Sequence, residues 1–555
     1  QRAIVGCTLP PMWFACLLGL VGGAPIVTLP GTNSQLLGFQ TTGNSSLTSH
    51  TPVALAAFLG IPFAESTAGN FRWEPPVPKK AWAGIRNATS FGHSCPGGKS
   101  VAKDVTVTFS EDCLNVNIWS PMSAIRANAN ANASLPVVVW IHGGGFFTGT
   151  ASDAIWWGNT WASRGVVFVA FNYRLGALGF FSASELPAVN VGFLDQQLLL
   201  RWVNRNIAAF GGDPSRVTIM GQSAGAMSVL VHLSSQQSQG LFHKAIANSP
   251  VGLHYRNWDQ NEAIMKSVAH ALRCEEGDVT CLRKLSFEEV VHVQTVVPYA
   301  THLTQDGYLN FLPWLPVVAP NKVGGLKTDP TSLLKAGNFA KVPVLLNSVR
   351  NETDAWIPRL SANGTFQLQE VVQLVYGKAN SSRILERYKG LTPFSAMSTA
   401  STDSLVTCYV RQIAGILSKS TDVYLSQFMH APSKNADPSN RWFAACSDGS
   451  STCHASDNIF VMGTVDVVSN AQFTELEREL SEQMVTAWSD FAKAWLASAH
   501  VDSSTSEAPF VWPAYNASGI STQWGAAGNV KGPSFVSGYH SSICDFWDEI
   551  GYQEQ

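Results

Sequence analysis

Ser215-Arg216-Val217-Thr218-Ile219-Met220-Gly221-Gln222-Ser223-Ala224-Gly225 is the stretch whose reading decides the fold. Residues 217–220 are β-branched or apolar and follow the turn-forming run Gly211-Gly212-Asp213-Pro214, so they read as a short buried strand. Gly221-Gln222-Ser223-Ala224-Gly225 is a G-x-S-x-G, and residues 226–233 after it are helical in character. Strand, sharp turn and helix form the setting in which this pattern holds a serine at the tip of a strained turn. The flanking glycines carry no Cβ, and the helix points its first N–H groups at whatever reacts with Ser223. Elsewhere in the chain no serine has glycine both two before and two after it.

Working outward, buried-strand runs alternate with helical segments. Residues 135–141 (Leu-Pro-Val-Val-Val-Trp-Ile) form a continuous apolar run, as a strand covered on both faces requires, and they end at His142-Gly143-Gly144-Gly145-Phe146. Residues 165–171, 244–249, 342–349 and 422–428 repeat the pattern. Residues 191–210 have a helical period with Leu194, Leu198, Trp202 and Ile207 on one side. Further helices are expected at 261–272, 365–376 and 473–499. Residues 127–134 alternate Ala and Asn and read as a solvated loop. Alternating β and α without a repeat period predicts an α/β fold, one large, mostly parallel sheet with helices on both faces. No Pro/Gly/Ser linker divides the chain, so residues 25–555 are expected to be a single domain with helical insertions between 250 and 420.

With 45% hydrophobic and 14% charged residues the chain can bury a large core. A net charge of −3 offers no basic surplus for nucleic acid. Residues 12–24 are a short apolar run ending in small residues, with Arg2 ahead of it. Residues 1–24 therefore read as a secretory signal peptide, too short for a membrane span, and a secreted, extracellular protein is expected. Setting aside Cys7 and Cys16 leaves an even eight cysteines from the ten, as in a disulfide framework. Glycosylation sequons occur at Asn44, Asn87, Asn132, Asn351, Asn363, Asn380 and Asn516. The polar C-terminal stretch carries no lipid-anchor tail, so no stable membrane anchor is expected.

A serine hydroxyl needs a base, a group to orient that base, and donors for the oxyanion it forms. The three glycines after strand 135–141 let backbone N–H groups turn inward, and no G-K-[ST] follows to suggest phosphate. The N–H groups of Gly144, Gly145 and Ala224 are the expected oxyanion donors. The acid should leave a strand after the serine; both Glu352 and Asp354 follow strand 342–349. His430, His454, His500 and His540 come later still. A bond between Cys446 and Cys453 would hold His454 in a tight ring, suiting a residue whose position matters. Phe146, Phe147, Trp156 and Trp157 are candidates for an apolar wall, with core packing equally open. No Cys or His cluster has metal-ligand spacing, so neither metal nor cofactor is expected.

From about Gly60 onward the chain resembles the type-B carboxylesterase family, which includes cholinesterases and some secreted lipases. The resemblance rests on Phe71-Arg72-Trp73, Ser110-Glu111-Asp112-Cys113-Leu114-Asn115-Val116-Asn117, the glycine loop at 142–146, Asn172-Tyr173-Arg174-Leu175-Gly176, Asn190-Val191-Gly192-Phe193-Leu194-Asp195-Gln196 and residues 206–214 leading into the serine turn. It implies an α/β-hydrolase fold and a Ser223, Glu352, His454 triad, with Glu352 rather than Asp354 at the family's acid position. It also implies the bridges Cys95–Cys113, Cys274–Cys281, Cys408–Cys544 and Cys446–Cys453. The ion pairs Arg72–Glu111 and Arg174–Asp195 follow on the same ground.

Departures narrow the substrate. Cholinesterases carry Glu where this chain has Gln222, and a Trp in the first disulfide loop, where Cys95 to Cys113 here offers only Phe109. A cation–π choline site is therefore not expected. The same loop is too short for an interfacial lid helix. Thr353 stands where the family often has Gly, and Asp457 where Glu is common. The sequon at Asn351 contains the acid and is expected to be buried and unglycosylated. The expected activity is hydrolysis of small-molecule or lipid-like carboxylic esters, with Gln222, Phe146 and Phe147 near the substrate. A long-chain lipase and a non-catalytic recognition domain are the alternatives.

Overall fold

The computed structural model describes residues 23–48, 52–97, 106–128, 134–252, 255–293, 314–356, 368–434, 436, 446, 449–494, 509–515, 519–526 and 532–551. Residues 1–22 of the signal peptide read at 1–24, the sequons at Asn132, Asn363 and Asn516, and His500 lie outside them.

An 11-stranded sheet forms the frame. Its strands are β1 (Phe39–Asn44), β2 (Pro52–Pro62), β3 (Asn115–Pro121), β4 (Leu135–Ile141), β5 (Val167–Phe171), β6 (Gly212–Gln222), β7 (Lys244–Asn248), β8 (Val344–Val349), β9 (Val423–Phe428), β10 (Ser521–Trp524) and β11 (Ser534–Val536). Their spatial order is β11-β10-β9-β8-β7-β6-β4-β5-β3-β2-β1. The centre, β5 to β10, is parallel, and antiparallel strands flank it on both sides. A separate 3-stranded sheet joins Ile26–Thr28, Gln35–Leu37 and Ile85–Asn87.

The apolar runs are continuous because both faces of the sheet are buried. In β4, Val137, Val139 and Ile141 enter one core and Val138 and Trp140 the other. In β8, Val344 and Leu346 face the first core and Leu345 the second. Helices α1 (Val191–Asn206), α2 (Ala224–Ser234), α3 (Pro393–Thr402), α4 (Cys408–Leu417) and α5 (Glu475–Lys493) are the ones that matter for the site. The first core takes α1, α2 and α4, and the second takes α5 through Leu480, Met484 and Trp488.

The helix expected over 191–210 ends earlier: α1 stops at Asn206, and a 3-10 turn over Ile207–Phe210 leads to Gly211 at φ 84°. Its buried side also differs from the expected stripe. Leu194 and Trp202 are half-buried, whereas Asp195, Gln196, Leu199 and Val203 are buried. Two polar residues sit on the inner face because each has partners there: Asp195 meets Arg174, and Gln196 meets Ser228 and His232. Trp156 and Trp157 pack in the second core, Trp156 on Trp140 at 4.8 Å and Trp157 on Phe91 at 5.6 Å. The helix expected at 365–376 runs instead from Leu368 to Arg387, with Gly377 non-helical at φ 77°.

Four disulfides are formed, Cys95–Cys113, Cys274–Cys281, Cys408–Cys544 and Cys446–Cys453. Arg72 grips Glu111 with two bonds of 2.7 and 2.6 Å, and Arg174 grips Asp195 with two of 2.8 and 2.7 Å. Arg72, Glu111 and Arg174 line one small cavity with the Cys95–Cys113 bridge. Bidentate geometry and further carbonyl acceptors (Leu282 for Arg72, Glu74 for Arg174) offset the desolvation of these charges. Among the described residues no helix is long and apolar enough to cross a membrane.

Candidate active site

Strand order places the site. From β4 the chain moves to β5 on one side, then returns to place β6 on the other side of β4. A crevice opens beyond the carboxyl ends of two strands at such a reversal. The glycine loop leaves β4 there and Ser223 leaves β6 there, with Ile141 paired to Gly221 in the last register.

Ser223 has φ 58° and ψ −126°, outside the regions L-residues favour, and is half-buried at the N-terminus of α2. A side chain held so costs on the order of 1–3 kcal/mol and persists only where its surroundings dictate it. Here they do. The Ser223 N–H donates to the Asn248 carbonyl at 3.0 Å, fixing the turn to β7. A Cβ on Gly221 would lie 2.4 Å from the Gly225 backbone, and one on Gly225 would lie 2.0 Å from the Ile141 carbonyl oxygen. Neither glycine can be replaced without moving the turn.

The glycine loop curls over the serine. A Cβ on Gly143 would meet the Ser223 Cβ at 3.0 Å, so loop and serine are in contact. Gly144 and Gly145 have φ 110° and 61°. Among the described residues no acceptor takes their N–H groups, while the Gly144 carbonyl accepts from Thr148 at 3.0 Å. The Ala224 N–H belongs to the first turn of α2, where no intrahelical acceptor exists. His142 anchors the loop base: its Nδ1–H donates to the Gly143 carbonyl at 2.9 Å, its ring stacks on Tyr173, and the Tyr173 hydroxyl donates to its carbonyl at 2.9 Å. Burial pushes the His142 imidazole down to about 4, leaving it neutral at ordinary pH. Tyr173, of the Asn172-Tyr173-Arg174 motif, thus supports the base of the loop.

Glu352 opens a single 3-10 turn (Glu352–Ala355) just after β8, and its side chain is fully buried. Its Oε1 accepts the Val349 N–H at 2.8 Å, and its Oε2 lies 2.5 Å from His454 Nδ1. The far side of that imidazole meets the residue beside the serine: the Gln222 amide donates to His454 Nε2 at 3.0 Å. With Nε2 accepting, Nδ1 carries the proton and gives it to Glu352 as a hydrogen bond. Backbone bonds hold the two loops together, Asn351 N–H to the Thr452 carbonyl at 3.0 Å and His454 N–H to the Glu352 carbonyl at 3.3 Å.

The other candidates are engaged elsewhere. His430 Nε2 lies 3.2 Å from Glu477, and His540 Nε2 lies 3.0 Å from Gln427. Asp354 points away from the imidazole, to Ser398 and Ser451. Phe146 is buried against Phe180 at 5.2 Å, while Phe147 is half-buried beside the loop. Asn351 is half-buried, and the Thr353 of its sequon is fully buried. Trp356 was not singled out by sequence reasoning, and Asp457 was noted only as standing where Glu is common. Trp356 packs its ring 4.5 Å from His454, tilted by 58°, and its only signal was a place four residues past Glu352. Asp457, fully buried, accepts from the Asn347 amide at 2.9 Å; burial first, then the nearby Glu352 charge, pushes it up to about 7.

A parallel sheet with a serine turn at its topological switch, faced by a glycine loop, defines the α/β-hydrolase class. Within that class the chain belongs to the Carboxylesterase family, whose profile matches residues 33–523. It is similar to the cocaine esterase of Oryctolagus cuniculus, 33% identical over 482 residues covering 80% of this chain and 84% of that protein. It is also similar to the acylcarnitine hydrolase of Rattus norvegicus, 34% identical over 484 residues covering 80% of each. A solved PNB esterase shares the fold at TM-score 0.73 and 25% identity, covering 95% of this chain and 100% of that one. The protein is a carboxylesterase-type hydrolase of carboxylic esters.

Proposed function

We propose that this enzyme cleaves its ester through an acyl-enzyme on Ser223, with His454 as general base and acid and Glu352 as the partner of the imidazole. The observation that carries this reading is the 2.5 Å contact of Glu352 with His454 Nδ1, while Nε2 is turned to the residue next to Ser223. His454 Nε2 takes the Ser223 proton as Oγ attacks the carbonyl carbon, displacing the Gln222 amide from that lone pair. Glu352 stabilises the imidazolium. Charge gathers on the carbonyl oxygen, facing the N–H groups of Gly144, Gly145 and Ala224. Each such donor typically contributes about 3 kcal/mol to lowering the barrier. The imidazolium then protonates the leaving alcohol, and water repeats the sequence on the acyl group. The half-buried Ser223 and the Trp356 ring beside His454 support a small, partly apolar ester as substrate. Secretion and glycosylation belong to the same proposal, supported by four disulfides and an exposed sequon at Asn87.

A chain-length series of p-nitrophenyl esters, with Ser223→Ala as the blank, tests the reading. Loss of kcat by several orders of magnitude in the variant is expected, with short soluble esters preferred. Equal activity in the variant would sink the mechanism. A steep rise on long, emulsified esters would move the assignment to a lipase.

A further inference from the structure

Asp354 was a rival to Glu352 on position alone, and its geometry gives it a different task. It lies on the same 3-10 turn as Glu352, and each carboxylate oxygen is taken by a different part of the chain. Oδ1 accepts a short hydrogen bond from the Ser398 hydroxyl, on α3. Oδ2 accepts from the Ser451 hydroxyl at 2.5 Å, inside the ring closed by Cys446–Cys453 that presents His454. Thr353 strengthens the first link: its hydroxyl donates to the Ser398 carbonyl at 2.7 Å, and its N–H donates to the Thr402 hydroxyl at 3.2 Å. Ser398, Thr353 and Ser451 are all buried.

From this geometry we infer that Asp354 is a positioning residue which ties the turn bearing Glu352 to the loop bearing His454 and clamps both to α3. The inference rests on the proposed roles of Glu352 and His454. Its chemistry explains the residue type. A carboxylate accepts on both oxygens, whereas an amide has a single acceptor oxygen and a hydroxyl could not span two partners. Bonds to an ionised acceptor are also the short, strong ones. The backbone contacts between the two loops are few, and one of them is long at 3.3 Å. Without the Ser451 link the His454 loop is free to slide relative to Glu352, and misplacement of this kind acts on kcat, because the imidazole is used in the transition state while ground-state binding is untouched.

The test measures kcat and KM for p-nitrophenyl acetate in Asp354→Ala and Asp354→Asn. Competent sites are counted by prolonged titration with a p-nitrophenyl phosphonate, and Ser223→Ala runs beside them. In Asp354→Ala, kcat per titrated site is expected to fall roughly 10- to 100-fold with KM changed by less than about threefold. Asp354→Asn, which keeps one acceptor, should recover part of the loss. Should Asp354→Ala fail to fold, Ser451→Ala removes one hydroxyl only and is expected to lower kcat per site by roughly three- to tenfold. An unchanged kcat per site in the folded variants, even with a lower Tm or fewer competent sites, overturns the inference and leaves Asp354 a structural residue. Activity surviving in Ser223→Ala would instead overturn the triad reading beneath it.

Discussion

Gln222 and Glu352, far apart in sequence, meet at one imidazole, that of His454. Ser223 was legible from its flanking glycines, and His454 from the cysteines around it. Gln222 was not, because its partner is 232 residues away and no local pattern records such a contact. Sequence reasoning used Gln222 to argue against a choline site and to place it near the substrate, whereas in the fold its amide meets the Nε2 lone pair of His454. Gln222→Glu replaces that donor by an anion that favours the imidazolium. The acid limb of the kcat/KM profile should then move to higher pH by about one unit, with the alkaline plateau kept. A limb that stays put in a pH series on p-nitrophenyl acetate would show that residue 222 does not meet the base. Asp354 and Glu352 show the same limit from the other side: position alone left the two carboxylates equivalent, and the family resemblance, not the spacing, favoured Glu352.

At the scale of elements, the site depends on how closely α2 approaches β4. Gly225 makes that approach possible, since a Cβ there would lie 2.0 Å from a main-chain oxygen that cannot swing away. Gly225→Ala should push the start of α2 off β4 and carry the Ala224 N–H with it. A loss of kcat of about 10²–10³ is expected, with a smaller change in KM and a lower Tm, read by steady-state kinetics and calorimetry. Wild-type kcat in this variant would show that the helix start need not touch the strand. Strands β4 to β9 were legible because a strand buried on both faces must be apolar throughout. The inner face of α1 was legible only in part: the resemblance supplied the Arg174–Asp195 pair, but Gln196 is polar and its burial depends on Ser228 and His232 from another segment.

Over the whole molecule, protonation of Asp457 couples stability to pH. Its folded value of about 7 stands above the ordinary carboxylate value of 3.8, so between those values the native state holds a proton that the unfolded chain releases. The stability this contributes is fully present below about pH 4 and is lost as pH rises to about 7, at 1.36 kcal/mol per unit. Asp457→Asn mimics the protonated form and keeps an oxygen for the Asn347 amide. It should raise Tm by a few degrees at pH 8 and not at pH 4, measured by scanning calorimetry at both values. A gain of equal size at both would show that Asp457 carries no proton linkage. By itself the sequence determined the class of fold, the serine turn, the glycine loop and a short field of candidates for acid and base. Those follow from local rules: burial on two faces sets strand composition, and strained turns demand glycine. Only the tertiary structure decided what Gln222 touches, what Asp354 ties together, and which acids burial pushes up. These are questions of distance and desolvation between segments, and neither is written in the spacing of residues along a chain.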